Sequence, residues 1–222
     1  MAHSKGGGIV MIKCITVGLL QEQTYLWIDE ETKHGFIIDP GAEASRLLSV
    51  IQEGGYSIEK ILITHGHVDH IGAAAFLREA LGAPIVIHQE GKKYLEDASW
   101  NLSIEFDRPF TFEADLYVAH GDSLALNASQ NKKLQVIYAP GHSADGVAYY
   151  SQEEHIAFVG DIIFEGSIGR SDLPGGDSNR LLSSIRAEIF TLPEETILYP
   201  GHGAATTVKK EKETNPHFHF YD

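Results

Sequence analysis

Five short apolar runs in this sequence each end in a glycine-containing turn that carries a histidine or an aspartate. The side chains at these ends are Asp39, His65, His142, Asp161 and His202. Apolar runs bounded by such turns are typical of buried strands. Open α/β sheets bind ligands beyond the carboxyl ends of their strands, and glycine lets the backbone approach a ligand closely. We therefore expect these side chains to lie near one another at the edge of a sheet.

Strand-like and helix-like segments alternate along the chain. Apolar runs predict strands at 9–17, 24–29, 36–39, 61–64, 85–88, 134–139, 147–151, 156–159 and 196–199. Helical patterns predict helices at 43–53, 71–81, 90–97 and 178–190. A strand-rich segment followed by β–α units occurs twice, which favours an α/β sandwich whose helices cover the sheets. Residues 209–222 are charged and then aromatic, and we expect a surface tail there.

The composition limits the partners and the compartment of this protein. The chain has 17 Lys+Arg against 31 Asp+Glu and a formal net charge of −14. Nucleic acids and anionic membranes need a basic surface, so we expect neither as a partner. No apolar stretch reaches the roughly 18 residues of a membrane span. The single Cys14 cannot form an internal disulfide, so we expect a cytoplasmic protein and no zinc site built on several cysteines. Cys14 falls in the first predicted strand, where we expect a buried thiol.

The N-terminal residues bear on the domain boundaries. Residues 1–8, MAHSKGGG, are polar and glycine-rich and show no periodic pattern. The apolar run at 9–20 loosely imitates a signal peptide, but Lys13 interrupts it and no small-residue cleavage site follows. We predict an unstructured or cloning-derived extension at 1–10 and a single domain at 11–222.

The segment 65–70, HGHVDH, is the strongest chemical signal, and its candidate metal ligands are His65, His67, Asp69 and His70. Zinc accepts imidazole and carboxylate ligands, and iron and manganese tolerate them. Four such groups are more than one tetrahedral ion takes from so short a segment, and they could serve two ions. A solvated polar loop is the alternative, but it does not explain the ligand-type residues at the other strand ends.

Three further candidate ligands follow later strands. Asp161 lies within the apolar run 157–164, where an ionised carboxylate is costly unless it is paired or bound to a metal. A buried salt bridge is the alternative for this residue. His142 and His202 each follow Pro-Gly, and either one alone is better explained as a loop histidine. Together with the 65–70 segment, we interpret both as ligands.

At these residues the sequence resembles the metallo-β-lactamase superfamily, from about residue 11 to residue 216. The resemblance implies a four-layer αββα sandwich with a dinuclear site between its two sheets. It implies two divalent metal ions, zinc foremost, with iron or manganese as alternatives. The ligands it implies for the first ion are His65, His67 and His142, those for the second ion are Asp69, His70 and His202, and Asp161 bridges the two. Asp39 matches the acidic position behind the ligands.

Segments 166–177, GSIGRSDLPGGD, and 199–207, YPGHGAATT, resemble the short hydrolases related to glyoxalase II. This resemblance implies hydrolysis of S-D-lactoylglutathione or a related thioester by a hydroxide that bridges the ions, with Asp69 orienting it. Full-length glyoxalase II enzymes carry a C-terminal helical domain that helps to hold glutathione. The chain ends about twenty residues after His202, so we expect that domain to be absent. Arg170 is a candidate contact for an anionic substrate, and an ion pair with Asp172 or Asp177 is the alternative.

Other functions remain open at this stage. Persulfide dioxygenases resemble the Gly-Arg-Ser-Asp region, and their single iron would be held here by His65, His142 and Asp161. The intact second ligand set favours a hydrolase, and a lactonase is possible on the same fold. A non-catalytic metal-binding domain is disfavoured, because structural zinc sites are closed by four protein ligands. We interpret the remaining histidines as surface residues or turn caps, namely His34, His88, His120, His155, His217 and His219.

Overall fold

Several strands bury every one of their side chains, which requires a covering layer on both faces of a sheet. This holds for Ile85–His88, Val147–Ser151 and Ile156–Gly160. The computed structural model describes residues 8–106 and 109–219. Its described helices include none with the length and apolar character needed to cross a membrane.

Two mixed sheets of six strands each form the centre of the molecule. In spatial order, the first contains β1 (Val10–Val17), β2 (Glu22–Asp29), β3 (His34–Ile38), β4 (Ser57–Leu62), β5 (Ile85–His88) and β6 (Leu116–Val118). The second contains β14 (Thr206–Thr207), β13 (Ile197–Pro200), β10 (Ile156–Gly160), β9 (Val147–Ser151), β8 (Lys133–Tyr138) and β7 (Ser123–Ala125). A hairpin of β11 (Ile163–Phe164) and β12 (Ser167–Ile168) stands apart. The pairs β3–β4, β4–β5, β5–β6 and β10–β13 are parallel.

Helices cover the outer faces of both sheets. They are α1 (Ala44–Glu53), α2 (Val68–Ile71), α3 (Ala74–Leu81), α4 (Lys92–Glu96), α5 (Ser178–Ser184), α6 (Val208–Thr214) and α7 (Pro216–His219). A π-helical turn, Ile185–Ile189, continues α5, and short 3₁₀ turns form at Gln89–Gly91 and Ser103–Phe106.

Three buried clusters fill the spaces between these layers. Trp27 and Phe158 belong to the cluster between the sheets. Leu47 of α1 packs on the outside of the first sheet, and Leu181 of α5 packs on the outside of the second. The predicted four-layer αββα sandwich is therefore confirmed.

Each of the nine predicted strands overlaps an observed one, whereas the five shortest strands were not predicted. These five, β6, β7, β11, β12 and β14, are two or three residues long, which is too short for alternation to be visible. The predicted helix at 71–81 is divided into α2 and α3, and only the middle of 90–97 is α-helical.

The first sheet begins earlier than the predicted domain boundary at residue 11. β1 starts at Val10, and the Ile9 carbonyl accepts a hydrogen bond from the Glu30 N–H at 2.9 Å. Residues 1–7 of the predicted extension lie outside the described residues. The prediction of a buried Cys14 is wrong, because β1 is the edge strand of its sheet and the thiol is exposed.

The prediction of a surface tail at 209–222 is also wrong for its described part. Residues 208–219 form α6 and α7, and the Glu211 carboxyl group is buried. It accepts hydrogen bonds from the Gly166 N–H at 2.9 Å, from the Thr206 hydroxyl at 2.5 Å and from the Asn215 amide at 2.8 Å. Glu211 therefore connects the C-terminal helices to the loop before β12 and to β14 by hydrogen bonds.

Substituting Glu211→Ala should lower the free energy of unfolding by about 3 kcal/mol, because three donors lose a buried acceptor. Urea unfolding followed by circular dichroism measures this change. Glu213→Ala, on the exposed face of the same helix, is the matched control and should change stability by less than about 0.5 kcal/mol. Equal unfolding midpoints for the two variants would contradict the assigned role of Glu211.

Candidate metal centre

Parallel strand pairs bring the predicted strand ends to a common edge. The Asp39 N–H, just beyond β3, donates to the last carbonyl of the parallel neighbour β4 at 2.9 Å. In the second sheet the Gly201 N–H, beyond β13, donates to the Gly160 carbonyl of parallel β10 at 2.9 Å. Between the sheets, the Val147 N–H donates to the Thr64 carbonyl at 3.0 Å. These bonds hold the two sheet edges together where the candidate ligands emerge.

The segment 65–70 follows β4 and turns into the short helix α2. His67 precedes this helix, and its carbonyl accepts the His70 N–H at 3.0 Å. The first two histidines of the segment join one group of potential ligands, and Asp69 and His70 join another. The tight turn therefore divides one segment between two neighbouring positions.

The first group contains three buried imidazoles. His142 Nε2 lies 3.2 Å from His65 Nε2 and 3.0 Å from His67 Nδ1. Burial lowers the pKa of His67 to about 3 and also lowers the pKa values of His65 and His142. The His142 Nδ1–H donates to the Arg170 carbonyl at 2.7 Å, which leaves Nε2 with its lone pair. These imidazoles are therefore neutral near pH 7 and present lone pairs to a common point.

The second group contains Asp69, His70 and His202. His202 Nε2 lies 3.2 Å from Asp69 Oδ2, and His70 Nε2 lies 3.9 Å from the same oxygen. Burial acts to lower the pKa of His70, but the neighbouring carboxylates outweigh it and hold the pKa well above its ordinary value. The electrostatic field at this position therefore favours positive charge.

Asp161 lies between the two groups. Its Oδ1 is 3.5 Å from His70 Nε2, and its Oδ2 is 3.7 Å from both His142 Nε2 and His202 Nε2. Burial acts to raise the pKa of this carboxyl, but His70 and the other imidazoles lower it below its ordinary value, so it is ionised. Gly201 permits this packing, because a β-carbon there would lie 2.4 Å from Asp161 Oδ1 and 2.5 Å from the His70 ring.

The residues fit a pair of divalent metal ions. His70 Nε2 and Asp161 Oδ1 are buried and have no hydrogen-bond partner within 8–106 and 109–219. His65 Nε2 and His142 Nε2 face each other at 3.2 Å, where two lone pairs repel unless a cation lies between them. Nitrogen and carboxylate donors suit zinc and also iron or manganese. Chemically, this arrangement could hold two ions that share Asp161.

Asp39 lies behind the second group, at the position that the sequence predicts. Its Oδ2 accepts from His70 Nδ1 at 2.9 Å, and its Oδ1 accepts from the Thr64 N–H at 2.7 Å. The hydrogen bond fixes the His70 ring so that Nε2 points toward Asp161. Asp39 has a φ of 48°, in the left-handed region that non-glycine residues seldom adopt. The strained backbone is held by these contacts on both sides of the carboxylate.

Two buried acids beside the centre were not predicted from the sequence. Glu22 Oε1 lies 4.0 Å from His70 Nδ1, and its Oε2 accepts from the Thr24 hydroxyl at 3.1 Å. Asp145 accepts the Gly66 N–H at 2.8 Å and so joins the 65–70 segment to the loop of His142. Glu22 opens a largely buried strand, which is a weak signal, whereas Asp145 lies in an ordinary polar turn that gave none.

The Arg170 side chain forms the ion pair that the sequence left as an alternative. Its Nε and Nη2 each lie 2.7 Å from a carboxylate oxygen of Asp172, and the pair is exposed. The residue nevertheless lines the cavity above the centre.

Of the remaining histidines, His88 accepts a hydrogen bond from the Glu90 N–H at 3.3 Å and so caps this turn. Its ring stacks on the ring of Tyr138.

Comparison with known proteins identifies the family of this chain. Residues 18–202 match the family described as the metallo-beta-lactamase superfamily. This chain belongs to the metallo-β-lactamase superfamily. By this membership it is a metallo-hydrolase, and the predicted family is confirmed.

Similar proteins have nearly the same length as this one. The hydroxyacylglutathione hydrolase GloC of Haemophilus influenzae is 36% identical over 209 residues, which cover 92% of this chain and 96% of that protein. The crystal structure of the BLEG-1 B3 metallo-beta-lactamase superposes with a TM-score of 0.89 at 37% identity and covers 94% of this chain and 100% of that one. A di-iron-bound form of TTHA1623 superposes with a TM-score of 0.82 at 38% identity, covering 92% and 99%. The resemblance to short hydrolases of the hydroxyacylglutathione type is therefore confirmed.

Replacing Asp39→Asn in this metallo-hydrolase should weaken metal binding by about 10-fold to 100-fold, because His70 loses the carboxylate that orients it. Competition of the protein with a chromogenic chelator for zinc measures the affinity. Asp97→Asn, in an exposed turn remote from the centre, should leave the affinity unchanged. Identical affinities for both variants would refute the orienting role of Asp39.

The contribution of Asp145 to the stability of the metal-free protein should fall between about pH 4 and pH 7. Burial raises the pKa of this carboxyl to about 7, so the folded state keeps a proton that the unfolded chain releases near pH 4. The stabilisation is complete below pH 4 and is lost as the pH rises through 7. Relative to Asp145→Asn, the wild type should lose about 3 kcal/mol of unfolding free energy over this range.

Urea unfolding of both proteins at several pH values, with chelator present, tests this expectation. Glu213→Gln, at an exposed side chain, serves as the control for replacing a carboxyl by an amide. A wild-type and Asp145→Asn pair whose stabilities run parallel across the range would rule out the raised pKa.

Proposed function

We propose that this protein is a thioesterase of the glyoxalase II type, which hydrolyses S-D-lactoylglutathione or a related thioester at a centre of two divalent ions, most readily zinc. The observation that carries the proposal is the presence of two complete ligand groups around Asp161, at the floor of a cavity of about 500 Å³. The likeness to a hydroxyacylglutathione hydrolase over nearly the whole of both chains supports the substrate class. The di-iron form of a similar protein supports two ions.

The side chains have separate tasks in this reaction. The bound ions would supply Lewis acidity and a lowered pKa for water. Burial acts to raise the pKa of Asp69, but His70 and the hydrogen bond from His202 hold it below its ordinary value. Asp69 is therefore an ionised acceptor that lines the cavity, and it can hold and orient the attacking water by accepting its hydrogen bond.

Hydrolysis adds water across the bond between the acyl carbon and sulfur. The oxygen of water bonds to the acyl carbon, the carbon–sulfur bond breaks with its electron pair going to sulfur, and the products are a carboxylate and a thiolate, with the two water protons released to solvent. Because a thiolate is a good leaving group, the reaction needs no dedicated general acid. The lining of the cavity contains, besides the ligand groups, mainly apolar side chains, namely Leu20, Val68, Leu102, Phe106, Phe164 and Leu173. These side chains exclude bulk water from the thioester.

The second ligand group favours a hydrolase over a mononuclear-iron persulfide dioxygenase. A single iron would need only His65, His142 and Asp161. The His202–Asp69 separation of 3.2 Å and the His70–Asp161 separation of 3.5 Å leave the second group equally well assembled. A site that used one ion would have no task for this second group.

Removing the metal should abolish turnover of S-D-lactoylglutathione, and reloading with zinc, iron or manganese in turn should restore it. His202→Ala should bind about one ion per chain in place of two and lose at least about 100-fold in kcat, because the second group is broken. His120→Ala, an exposed histidine remote from the centre, should match the wild type in both respects. Metal analysis and thiol release measure the two quantities. Unchanged turnover in metal-free protein would disprove the proposal.

A further inference from the structure

A second cavity of about 170 Å³ opens beside the main one. Both cavities are lined by Leu20, Val68, Asp69 and Phe106, so the second is a continuation of the first at the Asp69 side of the centre. We call this second cavity the side groove. Its remaining lining residues come from the β1–β2 turn and from the loop after β3, namely Val17, Gly18, Leu19, Gly41 and Ala42.

The side groove is apolar apart from Asp69 at its inner end. Leu19 is 95% exposed, Leu20 is 49% exposed and Phe106 is 45% exposed. Single exposed apolar side chains are ordinary, but these three line one groove that leads to the reacting centre. An apolar ligand would remove this surface from water, which is favourable in proportion to the area covered.

The two cavities differ in the charges of their lining residues. Among the described lining residues of both cavities, Arg170 is the one cation, and it belongs to the main cavity and not to the side groove. Its guanidinium already pairs with Asp172, and Glu105 adds a negative charge to the same lining. The main cavity on the side of His142 and Arg170 therefore suits the polar thiol arm of a thioester, and the side groove suits an uncharged arm.

Resting on the proposed thioesterase function, we propose that the side groove binds the acyl arm of the substrate and selects apolar acyl groups. The carbonyl carbon lies at the metal centre, with the acyl chain running past Val68 between Leu19 and Ala42. A lactoyl group is small and leaves most of the apolar lining of the groove uncovered, so it gains less from the groove than a longer acyl chain does. The preferred substrates are thioesters of straight or branched aliphatic acids of several carbons.

The test uses zinc-loaded protein and a series of glutathione thioesters that differ only in the acyl group: acetyl, lactoyl, butanoyl and hexanoyl. We expect kcat/KM to rise from acetyl to hexanoyl by about tenfold or more, since each buried methylene contributes about three-fold to four-fold in binding. Butanoyl should exceed lactoyl. A flat series, or one in which lactoyl is preferred, would overturn the groove assignment and leave the proposed thioesterase function intact.

Two variants and their matched controls address the groove itself. Ala42→Leu fills the groove, and Leu19→Ser removes an exposed apolar wall that has no role in the core. Each should reduce the hexanoyl-to-acetyl ratio of kcat/KM toward one. Ala44→Leu, the same substitution two residues along, and Leu116→Ser, at a half-exposed leucine outside both cavities, should keep the wild-type ratio. A wild-type ratio in both groove variants would overturn the assignment.

Binding gives a readout that does not depend on turnover. S-hexylglutathione should bind the zinc-loaded protein at least about tenfold more tightly than S-methylglutathione by calorimetry, and Ala42→Leu should remove the difference. Equal affinities for the two thioethers would overturn the groove assignment. Failure to hydrolyse any thioester would overturn the thioesterase function and the groove assignment with it, and that outcome differs from hydrolysis with no acyl preference.

Discussion

The main constraint on this structure is electrostatic. Several imidazoles and carboxylates are buried where the two sheets meet, and their burial costs free energy. Neutral histidines with opposed lone pairs lie at 3.0–3.2 Å in the first group, and carboxylates surround the His70 imidazole in the second. Without a bound cation such a cluster raises the free energy of the folded state, because a buried polar group without a partner loses its hydration and gains no hydrogen bond in return. Divalent cations offset this free-energy cost in both groups, so metal binding is coupled to the folding of the sheet edges that carry the ligands.

The Asp39 carboxylate is where the fold and the centre are joined. One of its oxygens accepts from the backbone N–H of Thr64, and the other accepts from the His70 ring. The Thr64 carbonyl in turn receives the Val147 N–H from the opposite sheet. A displacement of one sheet relative to the other would therefore reach His70 through these three hydrogen bonds. This linkage explains why a left-handed backbone conformation is retained at Asp39, where an ordinary conformation would aim the carboxylate elsewhere.

The sequence was sufficient to predict the longer strands and the candidate ligands because both depend on short stretches of chain, whereas the four-layer arrangement followed from the family resemblance. Buried strands are visible as apolar runs, and each ligand follows its strand within a few residues, so placing the strand places His65 or Asp161 as well. Glu22 and Asp145 could not be predicted, since their burial is created by elements far away in the chain. The same reason explains the C-terminal error: Glu211 looks like a surface charge until β14 and the loop at Gly166 are placed against it. The prediction for Cys14 was wrong in the opposite sense: the residue is exposed, and only the strand order reveals that β1 lies at the edge of its sheet.

The side groove belongs to the same class of feature, since several separate loops form it and no motif marks its apolar residues Leu19, Leu20 and Ala42. Its apolar lining bears on how an acidic protein could attract the thioesters that we propose as substrates. With a net charge of −14, the protein repels anionic substrates at long range. The cations of the centre act only locally, and the single arginine of the cavity is already paired. Attraction must then come from apolar contact, which does not depend on the sign of the net charge of the protein. An acyl arm held against Leu19 and Ala42 supplies that contact next to the metal ligands, where it also fixes the carbonyl for attack.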